Sequence, residues 1–159
     1  MKWGVLSFIF LLVLAGCAGV SDVPEPNSVR SRPGTSPTKV VAGFLDALKK
    51  DDFGKAYEFV YAPFADRDGY ILQMKNLVKD HNISFLDYSI LGSRILGDTA
   101  IVVAELEVEL KPRNSDTAIH EKWRNQYDLS IMDGKWRITS DKCILNCTNA
   151  DDLAGRMKQ

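Results

Sequence analysis

Acid–base chemistry in an apolar pocket needs a carboxylate at an inward-facing position, where burial can shift its pKa toward the working pH. This chain offers few. Ile119, Trp123, Tyr127, Leu129 and Ile131 share one phase of an alternating run, and two polar residues fall in that phase, Glu121 and Asn125. Glu121 is the one candidate general base, although a solvent-facing place beside the loop at Pro112–Asp116 accounts for it more simply. Asn125 reads as a hydrogen-bonded polar group or a bulge residue before it reads as a ligand contact. Tyr57, Tyr61, Tyr88 and Tyr127 could bring hydroxyls to a pocket, although core or rim positions explain them better. No catalytic residue is assigned on this basis. His81 and His120 stand at no ligand spacing with each other or with a cysteine, and no phosphate loop, nucleophile elbow or zinc-protease motif occurs. Cys143 and Cys147 form C-x3-C, not the redox pattern C-x-x-C, and have too few companions for a metal. The expectation is no metal and no cofactor.

The elements that must position these residues follow from periodicity. Ser36 can cap a helix with Pro37 at its first position. Val41, Phe44, Leu45 and Leu48 then make one apolar stripe at helical spacing. Asp51 or Asp52 can cap a second helix bearing Phe53, Ala56, Tyr57 and Val60, which Pro63 interrupts. A third runs from about Asp68 to His81, with Tyr70, Ile71, Met74, Leu77 and Val78 on its apolar face. After Asn82 the period becomes two. Leu86, Tyr88 and Ile90 alternate with Asp87 and Ser89, and Gly97-Asp98 turns the chain. Ala100, Val102, Ala104, Leu106, Val108 and Leu110 face one way and Glu105, Glu107 and Glu109 the other. Asp133-Gly134 turns the next strand, whose outer phase holds His120, Lys122, Arg124 and Asp128, into Lys135-Trp136-Arg137-Ile138. Helices first and an antiparallel meander second predict an α+β fold, three helices packed on a strongly curved sheet with its acidic phase in solvent.

A length of 159 residues suits one domain. With 45% apolar and 26% charged residues the composition is that of a globular protein, which excludes a disordered chain and a multi-span membrane protein. Lys and Arg number 20 against 21 Asp and Glu, a balance that argues against nucleic acid as a partner.

The first residues read as an address. Lys2 precedes an apolar run from Trp3 to Gly16, too short at about 1.5 Å per residue to cross a hydrocarbon core of roughly 30 Å. Leu14-Ala15-Gly16-Cys17 resembles the lipobox of bacterial lipoproteins. That resemblance implies removal of residues 1–16, acylation of Cys17 and a membrane anchor without a span. Ala18, where an inner-membrane lipoprotein would carry Asp, favours the outer membrane if the source has one. Residues 17–35, with Pro24, Pro26 and Pro33, read as a semi-extended tether. Outside the cytoplasm disulfides persist, so Cys143 and Cys147 are expected to pair, with a stabilisation of about 2 kcal/mol at most for so small a ring. The folded domain is placed at residues 36–147 and a polar tail at 148–159.

The run from Pro37-Thr38-Lys39-Val40-Val41 through Phe44-Leu45, Leu48-Lys49-Lys50-Asp51-Asp52-Phe53 and Ala56-Tyr57, then Gly97 to Val102 and Asp133 to Ile138, resembles the nuclear transport factor 2-like superfamily of cystatin-like α+β cones. It is similar in particular to bacterial lipoproteins with a lumazine-binding-like domain of unknown function. The resemblance implies a cone able to enclose a pocket. Among such folds are isomerases, dehydratases and cyclases, binding proteins, and subunits of secretion assemblies, so the fold fixes little about function. No base and proton-donating acid of the isomerase kind carries over residue by residue. The expectation is a non-catalytic envelope lipoprotein that binds a protein partner or a small apolar ligand. The alternatives are a small-molecule isomerase or dehydratase using a pocket acid, and a subunit of an envelope assembly.

Overall fold

A computed structural model describes residues 34–63, 65–111 and 117–146. The expected leader at 1–16, the expected acylation site Cys17, nearly all of the expected tether, Cys147 and the 148–159 segment lie outside them.

Among the described residues three helices precede four strands. α1 spans Pro37–Leu48, α2 Phe53–Tyr57 and α3 Arg67–His81. Each begins at a side chain that satisfies an otherwise orphaned backbone N–H. Ser36 Oγ accepts from Lys39 N at 3.3 Å, Asp52 Oδ1 from Lys55 N at 2.9 Å, and Asp66 Oδ1 from Gly69 N at 2.8 Å. α3 therefore starts a little earlier than its apolar pattern suggests. It ends at Asn82, whose φ of 45° is the left-handed conformation that stops a helix. No helix among the described residues is long and apolar enough to cross a membrane.

The strands β1 (Ile83–Leu96), β2 (Thr99–Leu110), β3 (Ile119–Met132) and β4 (Lys135–Leu145) form one open antiparallel sheet in chain order. Its central strand β2 follows the predicted alternation: all six inward residues from Ala100 to Leu110 are buried. The β3–β4 turn has positive φ at both Asp133 (50°) and Gly134 (73°), the pair of conformations that matches strand twist.

Both edge strands carry bulges. On β1, Leu86 and Leu91 are extra residues between the pairs Phe85↔Val108 and Asp87↔Glu107, and Ile90↔Ala104 and Gly92↔Val103. Phe85 rather than Leu86 thus faces inward. An extra residue is turned out of the pleat, which accounts for the exposure of Leu86 and Leu91. On β4 the extra residues are Thr139 and Ile144. Such bulges bend an edge strand and discourage edge-to-edge association. The β4 edge is further covered by the chain after α2, where Val60 bridges Ile138, Ile138 N donates to Phe59 O at 2.9 Å and Tyr61 N to Ile138 O at 2.8 Å.

One face of the sheet carries the core. Val41, Phe44, Leu45 and Leu48 of α1 and Phe53 and Ala56 of α2 pack with β2, Tyr127 and Leu129 of β3, and Trp136 and Ile138 of β4. The other face is a lattice of ion pairs. Glu107 meets Lys122 at 2.8 Å, Glu105 meets Arg124 at 3.1 Å, and Glu109 lies 3.5 Å from His120. The two bases on that face of β3 are therefore engaged by the acids opposite them.

Candidate functional site

The helices do not fill the concave side. None of the described α3 residues is fully buried; Tyr70, Ile71, Met74 and Val78 reach the core only in part. A cavity of about 320 Å³ lies where α3 stands off the sheet. Phe44 and Leu48 of α1 wall it, with Val60 to Ala62 and with Tyr70, Met74 and Leu77 of α3. The sheet supplies Phe85, Leu106, Trp123, Asn125 and Tyr127, and residues 138–141 of β4. This volume is at the lower end of small-molecule sites.

Its polar side is built by a register effect. Trp136 and Ile138 face inward, so regular alternation would put Ser140 inward and Asp141 outward. The Thr139 bulge reverses this: Ser140 pairs with outward Asp128, and Asp141 pairs with inward Tyr127. The bulge is pinned by Thr139 Oγ1 donating to Asp128 O at 3.1 Å and Ser140 Oγ to Asp128 Oδ2 at 3.3 Å. Asp141 is exposed, at the cavity's rim.

The charge of Asp141 reaches both tyrosines beside it. Burial chiefly, and Asp141 second, push the Tyr70 hydroxyl up to about 12. The same causes raise Tyr127 well above the ordinary tyrosine value, while a hydrogen bond from the Asn125 side chain acts the other way. Both hydroxyls are hydrogen-bonding groups at neutral pH, not bases. Asn125 Oδ1 is buried and accepts no hydrogen bond from the described residues. An acceptor left so costs about 1–3 kcal/mol, and a ligand donating to it would recover that.

Of the residues that the sequence marks for a pocket, Tyr61, Asn125 and Tyr127 line this cavity and Tyr57, Tyr88 and Glu121 do not. The hydroxyl of Tyr57 donates to Ala65 O at 3.4 Å, its ring lying against that of Tyr70. Tyr88 donates to Ala42 O at 3.2 Å and Asp46 Oδ1 at 3.0 Å, which ties α1 to β1. Glu121 shares the inward phase but accepts from Trp123 Nε1 at 2.8 Å. Cys143 is exposed, opposite Asn125; its expected partner Cys147 is outside the described residues. Among the described residues no cluster of three or more His, Cys, Asp or Glu side chains could hold a metal ion.

The sequence reading overlooks Asp141 and Tyr70. The one available signal is that Ser140 breaks the apolar phase of Trp136 and Ile138, as a bulged strand does.

No protein-family model matches the chain, and no curated protein matches it. Solved structures do. A ketosteroid isomerase-like protein from Erwinia carotovora atroseptica aligns with a TM-score of 0.53 at 14% identity, over 65% of this chain and 88% of that one. A candidate dehydratase of the nuclear transport factor 2-like family from Streptomyces avermitilis gives 0.52 at 12% identity, over 67% and 91%. AclR, a candidate hydroxylase from Streptomyces galilaeus, gives 0.51 at 10% identity, over 76% and 94%. These likenesses, with helices followed by an open four-stranded meander, define the domain as an α+β domain of the nuclear transport factor 2-like, cystatin-like fold. At such identities the likeness is one of fold.

Proposed function

We propose that this protein is a lipid-anchored protein of the cell envelope whose α+β domain binds a small, largely apolar ligand between α3 and the sheet. The anchor rests on the leader and Leu14-Ala15-Gly16-Cys17, and Ala18 favours the outer membrane. The observation that carries the binding reading is the cavity of about 320 Å³, walled by apolar and aromatic side chains and holding the unpaired Asn125 Oδ1. Native mass spectrometry of the protein released from its own membrane tests both halves. The peptide beginning at Cys17 should carry acyl chains, which Cys17→Ser abolishes. The intact protein should carry a small-molecule adduct, lost when Ala62→Phe fills the cavity. An unmodified Cys17 would refute the anchor, and an adduct indifferent to Ala62→Phe would refute the site.

Asp141 favours a second reading, an isomerase- or dehydratase-type enzyme in which this carboxylate takes a proton from a carbon acid held in the cavity. The names of the structural neighbours fit it loosely. It requires that a bound ketone exchange its α-proton with deuterated water, and that Asp141→Asn stop the exchange without releasing the ketone.

A further inference from the structure

The tyrosine hydroxyls of the cavity can donate or accept, but two of its other polar groups are acceptors, and they specify the ligand's head group. Asn125 Oδ1 is an unpaired acceptor and Asp141 brings a carboxylate. Among the described lining residues there is no Lys, Arg or His. The reason is again the pleat: the bases nearest in sequence, Arg124 and Lys142, point through the sheet, where Arg124 meets Glu105 at 3.1 Å and Lys142 meets Asp128 at 3.4 Å. The hydroxyls of Thr139 and Ser140 are spent on Asp128. An anionic head would meet the Asp141 carboxylate with no cation to offset it. A hydrogen-bonding cation would meet two acceptors and the rings of Tyr70, Trp123 and Tyr127, whose faces attract positive charge.

The spacing fits a single head group. Asn125 pairs with Cys143 and Tyr127 with Asp141, so Asn125 and Asp141 are diagonal neighbours on one face. Such neighbours lie roughly 7–8 Å apart at the backbone, close enough for one ammonium to donate to both side chains. Resting on the cavity reading above, we propose that the ligand is an amphipathic amine, its ammonium held between Asn125 and Asp141 and its apolar body lying between α3 and the sheet.

The full chain in lipid nanodiscs is titrated calorimetrically, near neutral pH, with octylammonium, octanol and octanoate, empty nanodiscs serving as blanks. Octylammonium should bind about tenfold tighter than octanol, the worth of a charge-assisted hydrogen bond over a neutral one, and octanoate weakest of the three. Asp141→Asn should erase that preference, while Asp141→Glu retains it; Asp141 is exposed, and circular dichroism checks that each variant is folded. If octanol or octanoate binds as tightly as octylammonium, and Ala62→Phe abolishes binding, the amine assignment is wrong and the cavity reading stands. Failure of all three probes to bind above the blank sinks both.

Discussion

Asp141 matters through its position more than its identity, because one exposed carboxylate opposite Tyr127 raises two hydroxyls at once. Asp141→Asn should lower the pKa of Tyr70 and Tyr127, yet leave both above the ordinary tyrosine value, since burial is the larger cause in each. Tyrosine ring resonances followed by NMR through an alkaline titration would show this, and an unchanged Tyr70 would mean that the carboxylate points away. Tyr88 is likewise pushed up to about 12, by burial first and then by its hydrogen bond to Asp46. A group with a raised folded-state pKa keeps more protons in the native state, so its contribution to stability is complete below the unfolded value of 10.0 and is lost as pH rises through about 12. The melting temperature should therefore fall over that alkaline window, and Tyr88→Phe, which has no hydroxyl to ionise, should blunt the fall.

Elements divide by whether their cause is local. The start of α1 is legible because Ser36, Pro37 and the stripe from Val41 to Leu48 are all the helix needs, and the buried face is the one the spacing names. β2 is legible because a central strand is paired on both sides and keeps strict alternation. The edge strands are not: an extra residue costs little locally and is fixed only by what the neighbouring strand pairs with. Leu86 is thus misread and Asp141 overlooked for one reason, and half of the candidate site was hidden behind a single bulge. Deleting Thr139 tests this. Without the extra residue, the pairs Ile138↔Leu129, Ser140↔Asp128 and Asp141↔Tyr127 follow one another in regular alternation and Asp141 stays inward, so the variant should keep both its strand content by circular dichroism and its preference for octylammonium. Loss of that preference in a folded variant would show that Thr139 is not the extra residue that sets the register of Asp141. The cap of α3 is a simpler case: Asp66→Ala leaves Gly69 N without its acceptor and should cost about 1 kcal/mol in a denaturant titration.

At the scale of the whole molecule the two sides of the helical layer have different work. α1 and α2 are sealed into the sheet by Val41, Leu45 and Ala56, at most 2% exposed, whereas α3 covers the cavity with residues such as Leu77, 44% exposed. Leu45→Ala should open a void in the core and cost about 2–5 kcal/mol. Leu77→Ala removes a half-exposed side chain from the cavity wall and should cost less, about 1 kcal/mol or under. Local opening draws on the region with the fewest buried apolar contacts, so amide exchange should proceed through α3 well before α1 or β2. A molecule in the cavity touches Tyr70, Met74 and Leu77 and binds only while α3 is seated. Saturation with octylammonium should then slow exchange in α3 most, and Ala62→Phe should cancel that slowing. Equal protection of all three helices without ligand, or a uniform gain with it, would mean that α3 is part of one cooperative unit and that the cavity is a static gap in its packing.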